Sequence, residues 1–169
     1  PGKYYATDLH RNDFQLGVSY LEAGLAGEAL AAFGRSLARR PDQPDALYNS
    51  GVIHQRRGEM EKAADRYSEA VLRQPDFADA HANLGVILAQ AGRLDEAAAA
   101  FHRVLELRSD HAEALINLGN VELARGHVDR ALRAYSAAVE LEPKIPQIQK
   151  KIGDAYRRAG DVERARSAY

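Results

Sequence analysis

Apolar residues along this chain fall in short blocks at helical spacing. In residues 84–91, Leu84, Ile87, Leu88 and Ala91 share one face of a predicted helix. In residues 94–105, Leu94, Ala97, Ala98, Phe101, Val104 and Leu105 form a second stripe. Gly92 lies between the two blocks and suits the left-handed position that ends a helix. Asp95 opens the second block, where its charge suits the positive helix N-terminus. The pattern predicts two helices joined by a tight turn, the second stopping near Arg108.

The same block recurs along the chain. Gly17, Gly51, Gly85, Gly119 and Gly153 are each 34 residues apart, and Gly24, Gly58, Gly92, Gly126 and Gly160 follow seven residues behind. Ala29, Ala63, Ala97, Ala131 and Ala165 keep this register, as do Phe33, Tyr67, Phe101, Tyr135 and Tyr169. Pro41, Pro75 and Pro143 close three units, and Ser109 takes that place in the other. A period of this length marks a repeat architecture. The units are 10–43, 44–77, 78–111, 112–145 and a partial 146–169. Residues 1–9 form an N-terminal extension, in which Tyr4, Tyr5 and Leu9 cap the first hairpin or belong to an earlier helix. A glycine inside a helix costs about 1 kcal/mol of propensity, so its recurrence implies close helix packing. Gly85 is expected to face Ala97, with Phe101 filling space toward neighbouring helices.

The pattern resembles the tetratricopeptide repeat, whose signature is a Leu-Gly pair, a Tyr, an Ala, an aromatic and a Pro over 34 residues. The first unit shows Leu16-Gly17, Tyr20, Ala29, Phe33 and Pro41; the third shows Leu84-Gly85, Ala97 and Phe101. The family's early Trp is replaced by Asp13, Leu47, His81, Leu115 and Gln149, and its Tyr by His54, Leu88 and Glu122 in the middle units. The resemblance covers residues 10–169. It implies an all-α, right-handed superhelical solenoid of about five units, with the first helix of each lining a concave groove. The last unit stops within its second helix, and the chain starts Pro-Gly, so the sequence reads as a piece of a longer protein.

At one groove position the family pattern places Asn49, Asn83 and Asn117 in successive units, between Gln15 and Lys151. An Asn amide carries a donor and an acceptor, so it can pair with a peptide backbone whatever the side chain. Units about 10 Å apart would meet roughly every third residue of an extended peptide. The row resembles the asparagine ladder in the repeats of O-linked N-acetylglucosamine transferase. Asn is also common at this place in the family, so the row has a structural reading as well. Neighbouring groove positions hold Tyr48, Val52, Val86 and Asn120, which complete the expected peptide-contact set. Some of the valines also suit packing against an adjacent unit. Asp45, Asp79 and Glu113 recur at helix starts, where they stabilise the dipole.

Composition narrows the function. The net charge is −1 at pH 7 and there is no polybasic run, which argues against a nucleic-acid binder. The absence of cysteine excludes disulfides, thiolate metal sites and a Cys nucleophile. No two of the six histidines stand at the spacing of a helical metal pair, and no HExxH or GxSxG is present. In units two to four, the places of the family's chaperone-tail clamp hold Tyr48, Glu113 and Asn117, which rules that ligand out. No apolar run approaches the roughly 20 residues of a membrane helix. The compartment stays open, with a soluble, cytoplasmic protein favoured. We expect no catalysis, cofactor or metal, but a scaffold that binds an extended peptide or a partner helix in its groove. Two alternatives are the substrate-recruiting part of a larger enzyme, such as a glycosyltransferase, and a homo-oligomeric, self-assembling scaffold.

Overall fold

The computed structural model describes the backbone of residues 3–144 and 148–168, and the side chains of residues 12–144 and 148–168. Ten helices and no strand occur among the described residues: α1 (Lys3–Glu22), α2 (Ala26–Arg39), α3 (Pro44–Arg56), α4 (Met60–Arg73), α5 (Ala78–Gln90), α6 (Leu94–Leu107), α7 (Ala112–Ala124), α8 (Val128–Leu141), α9 (Ile148–Arg158) and α10 (Val162–Ala168). The chain divides into two compact units, Pro1–Ala80 and His81–Tyr169. Residues 3–9 run into the first repeat as part of α1, without a break. The side chains of Tyr4, Tyr5 and Leu9, with their expected capping role, lie outside the described residues, as does Tyr169.

Each hairpin turn is built the same way. Gly24, Gly58, Gly92, Gly126 and Gly160 all have positive φ, between 74° and 83°. In the first turn the Gly24 amide donates to the Leu21 carbonyl at 3.1 Å, and the Leu25 amide to Tyr20 at 2.8 Å. The same two bonds recur in the other four turns; around Gly126 they run from Gly126 to Leu123 and from His127 to Glu122. This is a Schellman closure, which satisfies helix-end carbonyls and needs a left-handed residue.

A side-chain contact often fastens such a turn between the residues three before and two after the helix end. Two of the turns here use a histidine–glutamate contact instead. His54 Nδ1 lies 2.5 Å from Glu59 Oε2, and Glu122 Oε2 lies 2.7 Å from His127 Nδ1. The repeat positions are identical and the polarity is reversed. The hydrogen bond from His54 is the first cause of a Glu59 carboxyl held below the ordinary range.

The packing of the repeat glycines sharpens one expectation. A Cβ placed on Gly85 would meet Phe101 Cε1 at 2.9 Å and Ala100 Cβ at 3.3 Å, so the nearest neighbour of Gly85 is the aromatic ring and not the expected Ala97. Gly17 meets Phe33 and Gly51 meets Tyr67 in the same way, at 2.6 and 2.7 Å, and Gly119 lies against Tyr135. The glycine is the recess that receives its own hairpin's ring. Phe33, Tyr67, Phe101 and Tyr135 are all buried there.

Within Pro1–Ala80, one core joins Phe33, Ala29, Ala46 and Ile53, with Phe14 and Val18 against it; another joins Leu47, Ala70 and Ala80. Within His81–Tyr169, Leu88, Phe101, Val104, Leu118 and Val121 form one core, and Tyr135, Ala138, Ile148 and Ala155 the next. Asp13, which replaces the family's Trp in the first unit, is no packing residue. Its carboxylate pairs with Arg35 at 3.0 Å and Arg39 at 3.5 Å, tying α1 to α2 by charge.

Candidate functional site

Three odd-numbered helices carry the expected contact residues. Asn49 and Val52 on α3, Asn83 and Val86 on α5, and Asn117 and Asn120 on α7 are each three residues apart, so each pair shares one helix face. All six are half-buried.

On α3, the Tyr48 ring packs 5.7 Å from the Tyr67 ring and 4.9 Å from Phe77, so its aromatic surface goes largely to the core. Asn49 makes no side-chain hydrogen bond among the described residues. Its amide is available to a ligand, with Val52 beside it.

On α5 and α7 the arrangement closes further. Val86, Asn117 and Asn120 come together around a cavity of about 330 Å³ bounded by α5, α6 and α7. Leu94, Phe101 and Val121 supply apolar wall, and Gln90 adds a third amide. Asn83 stands one turn before Val86 on α5 and outside this lining. No charged side chain lines the cavity. Asn117 has no side-chain partner among the described residues. Asn120 is anchored: its Oδ1 accepts from the Tyr135 hydroxyl at 3.0 Å and from Lys151 Nζ at 2.9 Å. That fixes the amide orientation and leaves the Asn120 NH₂ as a donor.

The sequence reading missed Gln90 and the role of Lys151. Gln90 lies four residues after Val86, so following the face of α5 one more turn reaches it. Lys151 stands at the place of the ladder asparagines, as expected, but it reaches back to the preceding repeat and fixes Asn120. Side-chain reach of that kind leaves no mark in a spacing pattern.

Burial pushes the Tyr135 phenol up to about 12, against an ordinary value of 10.0. The folded state therefore holds this proton where the unfolded chain has lost it. Stability from this group is fully present below pH 10 and falls as pH rises toward 12. Urea unfolding of wild type and Tyr135→Phe should show a steeper loss for wild type across that window; equal slopes would remove the assignment.

Among the described residues no group of three or more His, Asp or Glu side chains is placed to hold a metal ion. The site's chemistry is amide hydrogen bonding over aliphatic carbon. Such a lining pairs with peptide groups and small apolar side chains, and it supplies no nucleophile and no general acid or base.

A family model described as tetratricopeptide repeat matches residues 14–71 and 54–112, and a second model of the same description matches 88–152. No curated protein sequence matches the chain. Several solved structures share the fold. The crystal structure of MamA protein superposes with a TM-score of 0.91 at 22% identity, covering 96% of this chain and 88% of that one. MamA from Desulfovibrio magneticus RS-1 gives 0.85 at 20% identity, covering 96% and 90%. YrrB, described as a TPR protein with an unusual peptide-binding site, gives 0.87 at 20% identity, covering 92% and 80%. The fold class is an all-α helical-repeat solenoid.

Proposed function

We infer that this chain, which belongs to the tetratricopeptide-repeat family, is a protein-interaction scaffold that holds an extended, largely uncharged peptide stretch against α5 and α7. The observation that carries the reading is the cavity between α5 and α7, with amides from Gln90, Asn117 and Asn120 over apolar wall. An extended peptide has alternating side chains and a donor and acceptor at each residue. One aliphatic side chain enters the cavity, and Asn117 and Asn120 pair with the peptide groups on either side of it. Asn83 extends the same contact along α5. Tyr48, Asn49 and Val52 on α3 form a smaller contact of the same chemistry.

The absence of charge in the lining favours peptide backbone over a terminal carboxylate or a phosphate. The same lining favours binding over catalysis. YrrB carries a peptide-binding site by its description, which supports the class of ligand for this fold without supplying its sequence.

A displayed library of extended peptides, selected on the purified chain, supplies the probe. Asn83→Ala/Asn117→Ala should weaken a selected peptide roughly tenfold or more, since each net hydrogen bond is worth about 1 kcal/mol. Circular dichroism should be unchanged, because both side chains are half-buried and outside the core. Selected peptides whose affinity is indifferent to these asparagines and to Val86→Ala would refute the reading.

A further inference from the structure

A second cavity lies on the other side of α7. Leu115, Leu118 and Glu122 are three and four residues apart and form a stripe turned well away from Asn117, Asn120 and Ala124. With α6 and α8 this stripe bounds a space of about 370 Å³. Leu115, Leu118, Ala134 and Ala137 supply apolar surface, and Arg130 and Arg133, exposed and one helical turn apart, stand at its edge.

An equivalent cavity exists 68 residues earlier, or two repeats, at Leu47, Ser50, His54, Arg66 and Glu69. There Arg66 Nη1 donates to Glu69 Oε2 at 2.9 Å, and the lining neutralises itself. In the later cavity Ala134 and Ala137 occupy the places of Arg66 and Glu69, which removes that pair. Arg130 and Arg133 have no carboxylate partner among the described residues. The one anionic group at this cavity, Glu122, is 2% exposed and already held by Arg125 at 2.9 Å and His127 at 2.7 Å. The unanswered charge at this cavity is therefore positive, and it borders apolar surface.

We propose that the α6–α7–α8 cavity docks an acidic, aliphatic stretch of a partner polypeptide, with its carboxylates on Arg130 and Arg133 and an apolar side chain over Leu118, Ala134 and Ala137. Charge complementarity selects this occupant. Arginine binds carboxylates in a bidentate fork, and the apolar floor gives a leucine-sized group somewhere to go. A nucleic acid would need a longer basic track than two arginines on a chain of net charge −1. The site is independent of the amide-lined cavity, so it does not stand or fall with the groove reading.

Fluorescence anisotropy with a short fluorescein-labelled peptide of alternating aspartate and leucine tests this. The purified chain should bind that peptide, and bind aspartate–serine and lysine–leucine peptides at least tenfold more weakly. Arg130→Ala/Arg133→Ala should weaken the aspartate–leucine peptide about tenfold or more with an unchanged circular dichroism spectrum, both side chains being exposed. Ala137→Leu should block the apolar half, and Arg73→Ala, at an exposed arginine of α4 outside both cavities, should leave the affinity unchanged. No binding, equal binding to the double variant, no preference for the aspartate–leucine peptide, or tighter binding of a labelled oligothymidylate would each overturn the proposal.

Discussion

Phe101→Ala is expected to cost about 3–5 kcal/mol of folding stability, as large-to-small changes at buried aromatic sites do. Phe101 is 1% exposed and belongs to the core that joins Leu88, Val104, Leu118 and Val121. Its ring also fills the recess at Gly85, so truncation leaves a hole that a glycine cannot close by moving a side chain. The effect should appear as a large drop in the urea midpoint. Phe101 borders the amide-lined cavity as well, so a peptide selected on the wild-type chain should lose affinity for the variant even in its folded fraction. Phe101→Leu should recover part of the stability. A loss below about 1 kcal/mol for Phe101→Ala would mean that the hairpin does not depend on the ring-in-recess contact.

Gly119→Val is expected to destabilise by about 1–3 kcal/mol, the usual range for overpacking, in spite of valine's better helix propensity. Its Cβ would run into the Tyr135 ring, which is 1% exposed and tied to Asn120 through its hydroxyl. The ring cannot swing out without breaking that bond and, with it, the posture of Asn120. Tyr135→Leu in the same chain should make the two substitutions markedly non-additive, since they share one space. Strict additivity of the measured unfolding free energies would show that the two sites do not meet.

Much of this was legible in the residue pattern. The glycine series and its positive-φ companions mark the helix–turn–helix units, because a left-handed turn residue and a backbone-close helix position both select against a side chain. The identity of the recess partner was not legible from residue class. Counting outward from the turn at Gly92 does not pick it out either: Gly85 lies seven residues before, Ala97 five after and Phe101 nine after, so both are two residues from level and the reach of the ring decides. Asp13 shows a second limit. The pattern marks a missing Trp, but the ion pairs that replace it depend on where Arg35 and Arg39 of another helix end. The candidate site divides in the same way. Asn117, Asn120 and Val86 follow from register alone, whereas the hold of Lys151 on Asn120 depends on the reach of a flexible side chain.

The turn that closes each hairpin uses two backbone bonds spanning six residues or fewer, as from Leu25 to Tyr20. A closure that short involves almost no chain search, because loop entropy grows with the number of residues enclosed. The conformational bottleneck then moves from forming a hairpin to laying one hairpin on another. A chain of this design pays its ordering entropy in small instalments, and it can gain or lose whole 34-residue segments over evolutionary time without redesigning any corner.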